Sequence, residues 1–239
     1  SWCEPFDPTE WGGPFTEGCS WHWTWSVFQA VPGLIRLMGG QQAFAAKLDA
    51  VFTSPNTFKP GTYGRPIRDM VEMASLDMGQ YAHGNEPIHH MIYLYDYAGQ
   101  PWKTQSRIRR VMTELYQATP DGLCGDEDTG QMSAWYVFSA LGFYPVCPGT
   151  VDYSIGSPLF DQATLSLAGG KTFTIRARNN GPQHPYIHGA KLNGQPLDKT
   201  YLTHQQLLAG GELVFDMASV PNHHWATAPT SRPPAAMAG

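Results

Sequence analysis

Residues 122–149, GLCGDEDTGQMSAWYVFSALGFYPVCPG, mark where one kind of text ends and another begins. Within them QMSAWYVFSAL (131–141) has no glycine or proline and is apolar nearly all round, which reads as a buried helix. Gly142 stands just past it, where helix ends favour glycine. After Pro148 the helical pattern does not return. Working back toward the N-terminus, the text stays helical. Residues 21–29 form an aromatic-rich segment that Pro32 and Gly33 should end or kink. Residues 41–52 follow Gly39-Gly40 as a second helix, and Pro87 opens a third, HHMIYLYDYA, which Gly99 closes. Thr104 is placed to cap a fourth, running to Tyr116 with Ile108, Val111, Met112 and Leu115 at core spacing.

Forward of Pro148 the period changes to two. ATLSLAGGKTFTIRARN (163–179) alternates about a turn at Gly169-Gly170, a hairpin pattern. YIHGAKLNGQPL (186–197) carries Asn193-Gly194, a strong two-residue turn signal, and GGELVFDM (210–217) reads as one more strand. The expected fold is mainly α with a small antiparallel β unit: helices over 1–150, strands over 151–225, and a disordered tail over 226–239.

Composition narrows the function classes. Charged residues make up 15% of the 239, against roughly 25% in ordinary soluble domains, while Trp numbers 8 and Tyr 11. Rigid rings with a polar handle suit stacking on sugars, although most aromatics are simply core. A net charge of −5 with no basic block argues against nucleic acid. No apolar run is long enough for a membrane span. The chain opens SWCEPFDP, with neither an initiator Met nor a signal segment, and reads as a processed or truncated product. Cys3 with Cys19, or Cys124 with Cys147, could pair in an exported protein; buried thiols are the equal alternative.

Three loops carry acids beside glycine just before helical segments: Thr16-Glu17-Gly18, His83-Gly84-Asn85-Glu86-Pro87, and Gly125-Asp126-Glu127-Asp128-Thr129-Gly130. A single such loop would be plain helix capping. Three of one design suggest a shared acidic site, and paired carboxylates of this kind fit glycoside hydrolysis, one donating a proton and one activating water. Other chemistries fail on spacing. An EF-hand beginning at Asp126 would need Glu at its twelfth position and Gly at its sixth, where Val137 and Gln131 stand. No HExxH, GxSxG or phosphate-binding glycine loop occurs, and His89 and His90 are adjacent, so they face different ways.

At these residues the chain resembles a known family. TEGCSWHWTW (16–25), MGQYAHGNEPIHHMIYLYDYAGQPWKTQ (78–105) and GLCGDEDTGQMSAWYVFSALGFYPVCPG (122–149), with GSPLF (156–160) and PNHHW (221–225), are similar to the signature stretches of the family 92 glycoside hydrolases. Those are calcium-dependent, inverting exo-α-mannosidases. The resemblance implies that Glu17 is the general acid and that Asp126 and Asp128 hold and deprotonate the attacking water, Asp128 being the base. It further implies that Asn85 and Glu86 lie at the calcium (Ca2+), and that Trp21, His83, Gly84 and His89 contact sugar. Where members cleaving α-1,2 linkages commonly carry a His-Glu pair, this chain has Arg68-Asp69, so the leaving-sugar subsite is expected there with altered linkage preference. The implied fold is the later helices of an (α/α)6 toroid followed by a β domain. The implied partners are a mannose-containing glycan and the missing N-terminal part of the same enzyme, in the periplasm or outside the cell. The rival readings are a non-catalytic carbohydrate-binding remnant and another helical-toroid glycosidase.

Overall fold

The computed structural model describes residues 4–236. The helical part contains α1 Ser20–Trp23, α2 Val31–Leu37, α3 Gln41–Thr53, α4 Arg68–Ser75, α5 Leu94–Tyr97, α6 Pro101–Glu114 and α7 Gln131–Leu141. These helices and the segments between them build one core, with Trp25, Phe44, Leu48, Tyr81, Tyr93, Tyr95, Ile108 and Trp135 fully out of solvent. Two sheets follow. One has three antiparallel strands, β1 Phe143–Tyr144, β2 Asp152–Ile155 and β7 Tyr201–Thr203, in the order β1-β2-β7. The other joins β3 Gln162–Ser166, β4 Thr172–Arg178, β8 Gly211–Ala218, β5 Tyr186–Leu192 and β6 Gln195–Pro196 in the order β3-β4-β8-β5-β6. A short helix, α8 His204–Ala209, leads into β8. Alternate residues Phe173, Ile175 and Ala177 of β4 point into a second core with Ile187, Leu213 and Phe215, the period-two pattern expected of a half-buried strand.

Both hairpins lie where the turn residues place them: β3 pairs antiparallel with β4, and β5 with β6 across Asn193-Gly194. The β unit is nevertheless mixed, not antiparallel, because β8 runs parallel to β4. The chain passes through β6, β7 and α8 before β8 slots between β4 and β5. Turn signals report sequence neighbours only, so that insertion leaves no local trace. β1 also joins the strands from before residue 150, pairing with β2.

Several helical expectations are corrected. The segment 21–29 is not one helix: α1 stops at Trp23, and Pro32 sits in the first turn of α2, where its missing N–H costs nothing. The segment about Pro87 is a 3-10 turn, Glu86–Ile88, and HHMIYLYDYA after it is broken into the 3-10 turn Met91–Tyr93 plus the four residues of α5. Every residue from 88 to 99 is buried there, and ring-laden residues have weak helix propensity of their own. Thr104 does not cap α6, which begins at Pro101; its Oγ1 donates to Asp96 Oδ1 at 2.8 Å. α7 is buried on one face only, with Ser133 and Ala134 exposed and Val137 56% exposed.

The expected disordered tail is ordered through residue 236. The 3-10 turn Pro229–Ser231 receives the Thr200 N–H on the Ser231 carbonyl at 2.8 Å, and Ala236 N–H donates to the Gln29 carbonyl at 3.1 Å. Proline removes backbone donors and discourages local helix or strand, but backbone bonds to packed neighbours hold the segment instead. Residues 237–239 lie outside the described part, as does Cys3. Cys124 and Cys147 are free thiols, so that proposed pair does not form.

Candidate active site

The first loop is held from all sides. Glu17 has a left-handed backbone (φ 47°), and its N–H donates to Tyr63 OH at 2.8 Å. Asn85 Nδ2 donates to the Glu17 carbonyl, and Trp23 Nε1 donates to the Thr16 carbonyl at 3.0 Å. The start of α1 is capped by a histidine instead of a carboxylate: Cys19 N–H donates to His22 Nδ1 at 3.1 Å, while His22 Nε2 donates to the Gln80 carbonyl at 3.1 Å. That pairing sets the tautomer, and burial holds the neutral ring with a pKa near 4. The Glu17 carboxylate is therefore not used for capping.

The second and third loops meet backbone to backbone. A Cβ on Gly125 would lie 2.4 Å from Gly84 Cα, closer than any side chain allows. This contact brings the stretch 125–128 beside 84–86. In the third loop the capping falls to Glu127, which accepts from Ser133 N–H at 2.9 Å and from Ser133 Oγ at 2.7 Å. Asp128 and Thr129, both with positive φ (47° and 61°), turn the chain so that Asp128 faces the cleft. Asp126 goes the other way and accepts from Arg68 Nη1.

Two joined hollows form that cleft, about 540 and 550 Å3 in volume, and share Phe28, Glu86 and His90. Glu17, Asn85 and Trp23 line one; Asp128, Thr129, His89, Gln131 and Tyr144 line the other. Glu86 thus stands between Glu17 and Asp128. Burial, then the facing Asp128 carboxylate, and more weakly Glu17 hold its carboxyl above the usual range. Asp69 is raised by burial and by the charges of Asp126 and Asp128. Among the described residues no Lys or Arg forms an ion pair with Glu17, Asp69, Glu86 or Asp128.

The remaining sequence-derived candidates divide. His89 lines the cleft, donates from Nε2 to the His83 carbonyl at 2.8 Å and accepts at Nδ1 from Gln131 Nε2 at 3.2 Å. His83 itself is fully buried between Tyr81 OH and Tyr116 OH, 2.8 Å on each side, and is core, not a sugar contact. Tyr116 OH spends its proton on the Met132 carbonyl, so His83 Nε2 donates to it and Tyr81 donates to Nδ1. Trp21 lies off the cleft with Lys47 Nζ 3.8 Å over its ring. Its neighbour Trp23 lines the cleft instead. Gly84 serves the close approach to Gly125.

Sequence reasoning missed Trp23, Phe28, Thr129, Gln131 and Tyr144. Trp23 was legible only as one of several tryptophans in SWHWTW, and no local signal says which ring turns outward. Tyr144 enters through β1, stacked on Tyr93 at 5.1 Å, a tertiary contact.

A hard cation suits these donors in kind: the carboxylate of Glu86, the Asn85 Oδ1 left over from its bond to Glu17, and neighbouring carbonyls are all oxygen. The side chains do not make a complete cage, because among the described residues no three His, Cys, Asp or Glu groups converge on a metal position. Calcium would need water or sugar oxygens to complete its shell. Among the described residues no helix is long and apolar enough to cross a membrane.

Comparison with known proteins gives this geometry a lineage. The chain is 58% identical to the family GH92 inverting mannosidase BT2199 of Bacteroides thetaiotaomicron, with a TM-score of 0.85 over 98% of this chain and 32% of that one. To the GH92 α-mannosidase BT3965 of the same organism it is 39% identical, with a TM-score of 0.85 over 98% of this chain and 29% of that one. An uncharacterized secreted glycosidase of Arthroderma benhamiae is 29% identical over 86% of this chain and 24% of its own length. The chain thus spans about a third of the solved relatives and a quarter of the fungal one. The family model for the glycosyl hydrolase family 92 catalytic domain matches residues 1–219, and the chain belongs to that family.

Proposed function

We propose that the enzyme of which this chain forms part removes terminal α-linked mannose from glycans with inversion. The observation that carries the reading is the single cleft in which Glu17 and Asp128 flank Glu86 with no paired cation. In the proposed reaction Glu17 gives its proton to the glycosidic oxygen as the C1–O bond breaks. Water attacks C1 from the opposite face and loses a proton to Asp128. The mechanism requires the Glu17 and Asp128 carboxyls to stand roughly 6.5–9.5 Å apart, leaving room for the water. Asp126, held by Arg68, orients the base-bearing loop. Trp23 and Phe28 offer apolar faces to the sugar ring at the mouth. Asn85 and Glu86 would hold calcium, which when bound supplies a positive charge to neighbouring mannose hydroxyls.

The same reading makes the helices the later part of an (α/α)6 toroid, completed by N-terminal sequence absent here. It places the enzyme where glycans are met, in the periplasm or outside the cell, in line with the secreted fungal relative.

The test is mannose release from α-linked mannobioses by the full-length enzyme, with calcium and with a chelator. Expected is calcium-dependent release of the inverted anomer. Glu17→Gln and Asp128→Asn should each lower it by roughly 10²–10⁴-fold. Binding of mannosides without any turnover by the folded enzyme would replace the hydrolase with a carbohydrate-binding remnant.

A further inference from the structure

We propose that Arg68 is a positioning residue that holds the base-bearing loop, not a contact for the leaving sugar. The inference rests on the mannosidase reading above. Arg68 is the first residue of α4. Its Nε donates to Glu72 Oε1 at 2.5 Å one turn along, and its Nη1 donates to Asp126 Oδ1 across 58 positions of sequence. Two edges of the guanidinium are therefore already engaged with protein carboxylates.

The loop they reach is otherwise tied at two places, one of them Glu127, which accepts from Ser133 N–H and Oγ. Gly125 rests against the Gly84 backbone, and beyond it the chain runs through Asp126 to the left-handed residues Asp128 and Thr129. The ion pair to Asp126 supplies a third anchor, two residues before the proposed base. It also supplies charge. Asp69, Glu72, Asp126 and Asp128 crowd together, Asp126 and Asp128 both acting on Asp69. Among the described residues, Arg68 is the sole Lys or Arg paired with any of these four. Like charges so close would spread the loop if the cation were absent. The fork geometry matters because a guanidinium can hold two carboxylates at fixed angles, whereas an ammonium is a point charge. In place of the His-Glu pair of α-1,2 members, this chain has a residue turned toward its own catalytic loop.

Two substrates separate the roles. An aryl α-mannoside has no leaving sugar, so losing a leaving-sugar contact would be silent with it, whereas a displaced base slows both it and an α-mannobiose. We would measure 4-nitrophenyl α-mannoside and α-mannobioses with the full-length enzyme carrying Arg68→Gln or Arg68→Lys. Arg68→Gln should lower kcat about ten- to a hundredfold on both substrates. KM for both substrates should hold, so the loss falls on kcat alone. Arg68→Lys should restore only part of kcat, because an ammonium cannot hold two carboxylates at fixed angles. Because the side chain is 62% exposed, neither change opens the core. If Arg68→Gln nonetheless fails to fold, Arg68→Lys decides alone, and full kcat with that variant overturns the proposal. Loss on the mannobiose alone, or no loss on either substrate, also overturns it. A wild-type enzyme that turns over no α-mannoside is a separate result: it removes the mannosidase reading and this inference with it.

Discussion

Gly125 and Gly84 show how a residue without a side chain can set the course of a cleft-lining loop. Their backbones approach so closely that a methyl on Gly125 would sit 2.4 Å from Gly84 Cα, and neither backbone can yield as a flexible side chain would. Gly125→Ala should therefore displace Asp126 and Asp128 together, cutting kcat about a hundredfold in a steady-state assay of the full-length enzyme. Gly33, in α2 with its nearest neighbour 3.8 Å from a built Cβ, is the control. Gly33→Ala should keep full activity and gain about 0.4–1 kcal/mol in stability. The two tryptophans of SWHW make a second contrast. Trp23→Ala should raise KM for mannosides, because that ring lines the cleft and braces Thr16 beside Glu17. Trp21→Ala should leave KM alone and lower the melting temperature, since its ring packs under Lys47. Equal KM effects from the two would mean that the assignment of the rings is reversed.

Among the elements, α6 decides how the helical part meets the sheets. Arg109, buried on its inner face, has no carboxylate partner among the described residues. Its Nη2 donates to the Pro158 carbonyl and, at 2.7 Å, to Asn180 Oδ1, while Nη1 donates to the Gly181 carbonyl at 3.3 Å. One turn earlier Gln105 Oε1 accepts the Ile187 N–H of β5 at 3.0 Å. Loop carbonyls and a strand amide that would otherwise be stranded are thus satisfied by one helix face. Arg109→Leu keeps much of the buried volume but leaves those carbonyls without a donor. The expected loss is about 1–3 kcal/mol by chemical denaturation, and an unchanged midpoint would mean that water takes over the arginine's bonds. α7 works between the same two parts: Trp135 belongs to the helical core, while Phe138 and Leu141 pack on the β core. Its outer face carries Val137, 56% exposed.

Across the whole molecule, buried histidines set the response to acid. Burial holds His22, His89 and His90 near pKa 4, and His83 well below its ordinary value. Each stays neutral when folded but takes a proton near pH 6.5 when unfolded. Their contribution is present above about pH 6.5 and is lost as pH falls toward 4, with a slope up to about 1.4 kcal/mol per pH unit for each. Asp96 opposes this. Burial raises its carboxyl, so the folded state binds its proton more readily and gains from acidification. Asp69, Glu72, Glu86 and Asp152 are raised more mildly and oppose it too, but the four deeply shifted histidines leave a net loss. The melting temperature of the full-length enzyme should fall steadily between pH 6.5 and 4. His90→Gln, whose amide can still reach the Trp25 carbonyl that His90 Nε2 now engages, should make that fall shallower. A flat profile in the wild type would contradict the buried neutral histidines.

Much was written locally. The α7 helix with its terminal glycine, both hairpins at Gly169-Gly170 and Asn193-Gly194, and the three acidic loops all follow from spacing a few residues long, because capping, turn dihedrals and periodicity act over that range. The family, too, is carried by contiguous stretches. What needed three dimensions was every choice among chemically similar neighbours: Trp23 over Trp21 at the cleft, Asp128 facing inward while Asp126 turns to Arg68, His89 lining the site while His83 fills the core. Those outcomes rest on contacts between segments tens of residues apart, as does the parallel insertion of β8 beside β4. Periodicity is blind to such contacts, because the free energy that selects them arises only once distant backbones have closed on one another.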